Sequence, residues 1–89
     1  MLLENSRLRA LELTLAPGDS IAPRPYPRDA AVFVIEGGSL HEREVREGIE
    51  RSRTFEAQPS AILWYRGGWN RALTNVGSTT YRELRVELR

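Results

Sequence analysis

The chain has 89 residues, 40% hydrophobic and 28% charged, with a formal net charge of +1 at pH 7. That composition is globular rather than disordered, and the near-neutral balance gives no bulk attraction for nucleic acid. No apolar run approaches the roughly 20 residues of a membrane span, and the lack of cysteine excludes disulfides, thiol catalysis and thiolate metal sites.

One domain over residues 1–89 is expected, because the length leaves no room for a second. The opening "MLLENSRLRALEL" carries charges throughout and no cleavable apolar block, so no signal peptide and a cytoplasmic location are expected. "LRALELTL", 8–15, alternates with leucines at 11, 13 and 15 and stops at the turn "APGDS". Prolines at 23, 25 and 27 cannot donate to a ladder, so that stretch reads as an edge strand or a polyproline-like extension. "AAVFVIE", 30–36, is a β-branched strand expected to be covered on both faces, and Gly37-Gly38 reads as a hairpin turn.

"SLHEREV" and "IERSRTF" are more polar strands separated by "REG". In the second, Ile49, Arg51, Arg53 and Phe55 share one face. Interleaved Glu47, Glu50 and Glu56 make a solvated mixed-charge strand the expectation there, rather than an RNA-binding face. "AILWYR", 61–66, is a strongly apolar strand. Gly67-Gly68 turns the chain into "NRALTNV", and "GST" turns it into "TYRELRVELR", where Leu84, Val86 and Leu88 line one side. Apolar spacing at 40, 45 and 49 is only a broken helical match, so few or no helices are expected. Seven or eight short antiparallel strands in one small unit close as a sandwich or barrel.

Two spaced motifs carry a resemblance. Gly18 is followed by five residues and Arg24-Pro25-Tyr26; three more lead to Ala30, and six more to Gly37. Later, Ser60 is followed by Arg66-Gly67-Gly68, then Arg71 and Asn75. From about residue 15 onward the chain resembles the small single-domain cupins, the RmlC-like β-barrels, with their metal-binding motifs degenerate. The resemblance implies an all-β, compact antiparallel jelly-roll barrel. It would place histidines where Arg24, Tyr26 and Arg71 stand, glutamate at Ala30 and glycine at Ser60.

Guanidinium stays protonated and offers no lone pair to a metal. Alanine offers nothing, and the single histidine, His41, lies in another strand, where an exposed strand position is expected. No metal and no cofactor are therefore expected. All 13 basic residues are arginine, so no lysine exists to form a Schiff base. Arg24 and Tyr26 are two apart and share a face of an extended strand. By the resemblance that face, like that of Arg71, is the barrel interior. Arginine suits carboxylate and phosphate, and Tyr26 with Trp64 or Trp69 adds an apolar wall. Arg24, Tyr26, Trp64 and Arg71 are thus the candidate ligand-binding residues, for a small anionic or sugar-like metabolite. The alternative is that the arginines pair with Glu36 or Glu83 or reach out at the barrel mouth, and that Trp64-Tyr65 serves core and interface.

Three functions stay open: a metal-free binding module, a metal-independent isomerase or lyase using Tyr26, His41 or a glutamate as proton shuttle, and a structural barrel filled by its own side chains. Metal-dependent catalysis is not expected, nor are nucleic-acid or membrane partners. A homodimer is expected, with 8–15 and 81–88 as contact surfaces, because so small a barrel has little core of its own.

Overall fold

The computed structural model describes residues 3–5 and 7–88. Among them the elements are strands: β1 Leu3–Glu4, β2 Leu8–Leu15, β3 Ser20–Tyr26, β4 Ala30–Glu36, β5 Gly38–Arg46, β6 Ile49–Ala57, β7 Ile62–Tyr65, β8 Trp69–Asn75 and β9 Tyr81–Leu88. They form two antiparallel sheets, ordered β1-β2-β9-β4-β7 and β3-β8-β5-β6. The all-β jelly-roll expectation holds, and no helix forms among the described residues. None is present that is long and apolar enough to cross a membrane.

The proline-bearing β3 lies at a sheet edge, where missing N–H donors disturb least. Its pairing with β8 is irregular between Ile21 and Arg24. The β5–β6 hairpin turns on two residues, Glu47 and Gly48, both with positive φ, the turn whose twist matches the strands it joins. Gly37 is not a hairpin turn. The strands on either side of it belong to different sheets, so the chain there crosses the sandwich. Gly67 sits in a second crossing, between β7 and β8, where a Cβ would run into the Pro27 carbonyl.

The interior is divided along the strands. At one end Leu15, Val34, Leu40, Ala57, Leu73 and Tyr81 form an apolar core, with Ile21, Phe55 and Leu63 packed against it. Towards the other end the same inward rows become charged. On β9, Tyr81 is followed inward by Glu83, Arg85 and Glu87, all buried. On β5, Leu40 is followed by Glu42 and Glu44; on β8, Leu73 gives way to Arg71. The face of Leu84, Val86 and Leu88 is therefore the outer one. Segments 8–15 and 81–88 pair with each other along their whole length, inside one sheet. Strand β4 is covered on its inner face only, since Phe33 and Ile35 are exposed on the other.

Candidate functional site

The two spaced motifs meet through backbone. Gly18, at positive φ, donates its N–H to the carbonyl of Asn75 at 2.9 Å. The fully buried Asn75 side chain donates to the Leu15 and Thr79 carbonyls at 2.9 and 2.8 Å and accepts from the Gly77 amide at 3.0 Å. Ser60 has a φ of 70°, the left-handed region that favours glycine, so the motif's first position keeps glycine's conformation without glycine.

Arg71 is the centre of the charged end. Its Nε donates to Glu44 Oε2 at 3.3 Å and lies 3.9 Å from Glu42 Oε2. All three side chains are buried, Arg71 to 3% exposure. The outer arginines of β6 finish the ladder: Arg51 Nε donates to Glu44 Oε1 at 2.9 Å, and Arg53 Nε to Glu42 Oε1 at 3.1 Å. Cross-strand registry makes these contacts, because Arg71, Glu44 and Arg51 stand opposite one another on adjacent strands. The expected partners of Arg71, Glu36 and Glu83, are instead engaged by Arg82 and Arg85. Nor are Arg51 and Arg53 simply solvated: they face the interior and are half in the network, because β6 is an edge strand.

Aromatic rings hold the remaining faces of the guanidinium groups. Arg71 lies 3.8 Å from the Tyr65 ring centroid and 4.7 Å from that of Tyr26; Arg85 lies 4.7 Å from Tyr26. Arg71 Nη2 and Arg85 Nη1 are nonetheless buried without a hydrogen-bond partner, which is costly for charged donors. Burial raises the Glu83 carboxyl above its usual range despite Arg85 nearby and the Tyr81 hydroxyl, which donates to it at 2.8 Å. Burial pushes the Tyr65 and Tyr81 hydroxyls up, with Glu42 and Glu83 respectively adding to the effect. Burial, and then the Arg71 charge, lower the pKa of Arg85.

Two cavities flank this network. The larger, about 600 Å³, is lined by Glu42 and Glu44, by Arg46, Arg51, Arg53 and Arg66, and by Trp64, Tyr65 and Trp69. The smaller, about 110 Å³, is bordered by Arg24, Tyr26, Arg71, Glu83 and Arg85 with Leu11 and Leu13 of β2. The Arg71–Tyr65 stack stands between them, each residue bordering a different cavity.

The structure thus brings three of the four sequence candidates together. Arg24 and Arg71 are register partners, and Arg24 Nε donates to the Tyr26 hydroxyl at 3.2 Å, although Arg24 itself is exposed. Trp64 stands apart: it is 57% exposed, alternates with the inward Tyr65, and borders the larger cavity rather than the one beside Arg24, Tyr26 and Arg71. His41 points out of its sheet, hydrogen-bonded to Thr54 at 2.9 Å. No cluster of three or more His, Cys, Asp or Glu side chains placed to hold a metal occurs among the described residues. Sequence reasoning missed Glu42, Glu44 and Arg85, and named Glu83 only as a partner for Arg24 or Arg71. Their signal was present in the alternation of "HEREV" and "YRELRVE", where one face is charged at every second position.

No family model matches the chain, and no curated protein matches it in sequence. Solved structures do match. A cupin domain from Bordetella pertussis Tohama I superposes with a TM-score of 0.85 at 17% identity, over 99% of this chain and 88% of that one. An RmlC-like cupin family protein with a double-stranded β-helix fold from Methanocaldococcus jannaschii gives 0.77 at 9%, over 97% and 73%. The polyketide cyclase RemF from Streptomyces resistomycificus gives 0.70 at 23%; the match covers 94% of this chain but only 56% of that one.

Proposed function

The cupin fold is the premise, and on it we propose that this chain is a metal-independent binding module for a small anionic or sugar-like metabolite, held at the charged end of its barrel. The observation that carries the reading is the imbalance of the larger cavity, where four arginines face two glutamates. Both glutamates are already engaged by the Nε atoms of Arg51 and Arg53. The terminal nitrogens of Arg51 make no hydrogen bond, and Arg46 and Arg66 make no ion pair, among the described residues. Guanidinium groups left in this state suit the paired oxygens of carboxylate or phosphate. Trp69, against which Arg51 stacks at 4.0 Å, and Tyr65 supply an apolar wall, and about 600 Å³ is metabolite-sized. Arg24, Tyr26 and Arg71 sit beyond the Tyr65 stack, as the inner support and as a second, smaller anion position.

Thermal melting against carboxylated and phosphorylated metabolites at constant ionic strength tests this. A ligand at a hundredfold excess over its dissociation constant stabilises the fold by about 2.7 kcal/mol. The midpoint should rise for a subset of anions, and Arg51→Met with Arg66→Met should remove the rise. A flat response across the panel counts against the reading.

One observation favours a second reading, a metal-independent isomerase or lyase. Glu83 borders the smaller cavity with a raised pKa and a hydroxyl partner, as a proton-transferring carboxyl requires. Turnover of a panel ligand that is lost in Glu83→Gln, with its binding retained, would select this reading over simple binding.

A further inference from the structure

The edge strands of the two sheets are unlike. β1 has two residues and β7 four, short enough to blunt their edges. β3 carries Pro23 and Pro25, which cannot donate, and its pairing is irregular. β6 is different: it has nine residues and no proline, in unbroken register with β5. The two-residue turn at Glu47 and Gly48 makes Arg46 and Ile49 a hydrogen-bonded pair. By alternation Arg51, Arg53 and Phe55 also turn their backbone groups to β5, whereas Glu50, Ser52, Thr54 and Glu56 turn theirs to the free edge. Those edge groups find no backbone partner among the described residues.

We propose that this edge takes an extended acidic segment of a partner protein as an added antiparallel strand. Charge selects the occupant. Arg51 and Arg53 share the inward face of β6, are more than half exposed, and stand with Arg46 and Arg66 around the larger cavity. Each gives its Nε to a glutamate of the barrel, and the terminal nitrogens of Arg51 make no hydrogen bond. A strand added at the edge sets its own side chains directly opposite them, about 4.5 Å away on the same face. Carboxylates there meet the guanidinium groups. A second copy of β6 would instead set arginine against arginine, and like charges directly opposite destabilise a sheet. Nucleic acid would match the charge but has no ladder of amide groups to complete the edge. Opposite Phe55, which packs against the apolar core, an apolar side chain fits. From N- to C-terminus the antiparallel segment therefore reads apolar, any, acidic, any, acidic. The inference stands on the free backbone edge and requires no metabolite in the cavity.

Isothermal titration of the full chain with the end-blocked peptide Thr-Val-Thr-Glu-Thr-Glu-Thr tests this. The peptide should bind, and its counterpart with lysine in place of glutamate should not. Ser52→Pro removes an edge N–H that makes no backbone bond within the fold, so the variant should fold. It should weaken the peptide at least about tenfold, the worth of one hydrogen bond. Amide exchange followed by NMR should show Ser52 and Thr54 protected on binding, with Arg51 and Arg53, already paired to β5, unchanged. No binding at about 1 mM peptide overturns the inference. So does binding that the lysine peptide reproduces, or binding equal in Ser52→Pro, which charge alone would then explain. If Ser52→Pro fails to fold, N-methylated peptides decide. Methylating the threonine before each glutamate should abolish binding, because those amides face the edge, whereas methylating the glutamates should not. The reverse pattern, or no difference between the two, overturns the added strand.

Discussion

Replacing Arg71 with methionine removes the central cation of the barrel while keeping most of its bulk. Arg71 is 3% exposed and touches two buried carboxylates, at 3.3 and 3.9 Å. Breaking a buried ion pair from one side costs about 3–5 kcal/mol. The lower end applies, because Glu44 and Glu42 keep Arg51 and Arg53. Loss of the stack on Tyr65 at 3.8 Å adds about 1–2 kcal/mol, and methionine regains about 1 kcal/mol of apolar burial. The net expectation is a loss of about 3 kcal/mol, from a total of roughly 4–13 kcal/mol for a chain this size. In thermal terms the midpoint falls by about 12–24 °C. Urea unfolding followed by circular dichroism should show a lower midpoint with an unchanged slope. Adding Glu42→Gln and Glu44→Gln to Arg71→Met should recover part of the loss, because no buried carboxylate then lacks its inner cation, while the half-exposed Arg51 and Arg53 give up their partners at small cost. A loss below about 1 kcal/mol in the single variant, well short of a broken buried pair, would refute the central placement of Arg71.

Further expectations follow from neighbouring groups. Burial raises the folded-state pKa of Glu83, so its favourable contribution is present below the unfolded value of about 4.3 and is lost as pH rises through the folded value. Glu83→Gln should therefore gain on the parent in melting temperature between about pH 4 and pH 7; an advantage that shrinks over that range contradicts the burial argument. Ser60→Gly relieves a φ of 70° and should stabilise by about 0.5 kcal/mol, whereas Gly67→Ala, whose Cβ meets the Pro27 carbonyl, should cost about 2 kcal/mol or more; urea midpoints measure both. Elemental analysis of untagged protein should find no stoichiometric iron, manganese, nickel or zinc, and one chelator-removable equivalent per chain would contradict this.

Strand positions were readable because alternation and glycine mark them locally: 8–15 and 30–36 coincide with β2 and β4. The motif frame was readable too, since Gly18 and Asn75 are backbone devices whose spacing survives loss of the ligands between them. The inside of the barrel was harder to read. An apolar stripe such as Leu84, Val86 and Leu88 shows that a strand has two unlike faces, but not which one turns inward. Here the charged face of β9 turns inward: Glu83 is held by Tyr81 and Arg85 of its own strand, Glu87 lies 3.9 Å from Arg9 on neighbouring β2, and Arg85 stacks on Tyr26 of the facing sheet. Arg71 illustrates the same limit. Its residue type indicated a need for carboxylates, but the choice of Glu42 and Glu44 over Glu36 and Glu83 depends on the β5–β8 register. The turn at Gly37 was misread because a two-glycine signal fixes a reversal without saying whether the next strand joins the same sheet.

The anion-binding claim is tested most directly by a crystal structure of the protein with the panel ligand that raises its melting midpoint most. Density is expected in the larger cavity, with an anionic group within hydrogen-bond distance of at least two of Arg46, Arg51, Arg53 and Arg66 and the remainder of the ligand against Trp69. Well-ordered density elsewhere on the surface, with only water between those arginines, would contradict it.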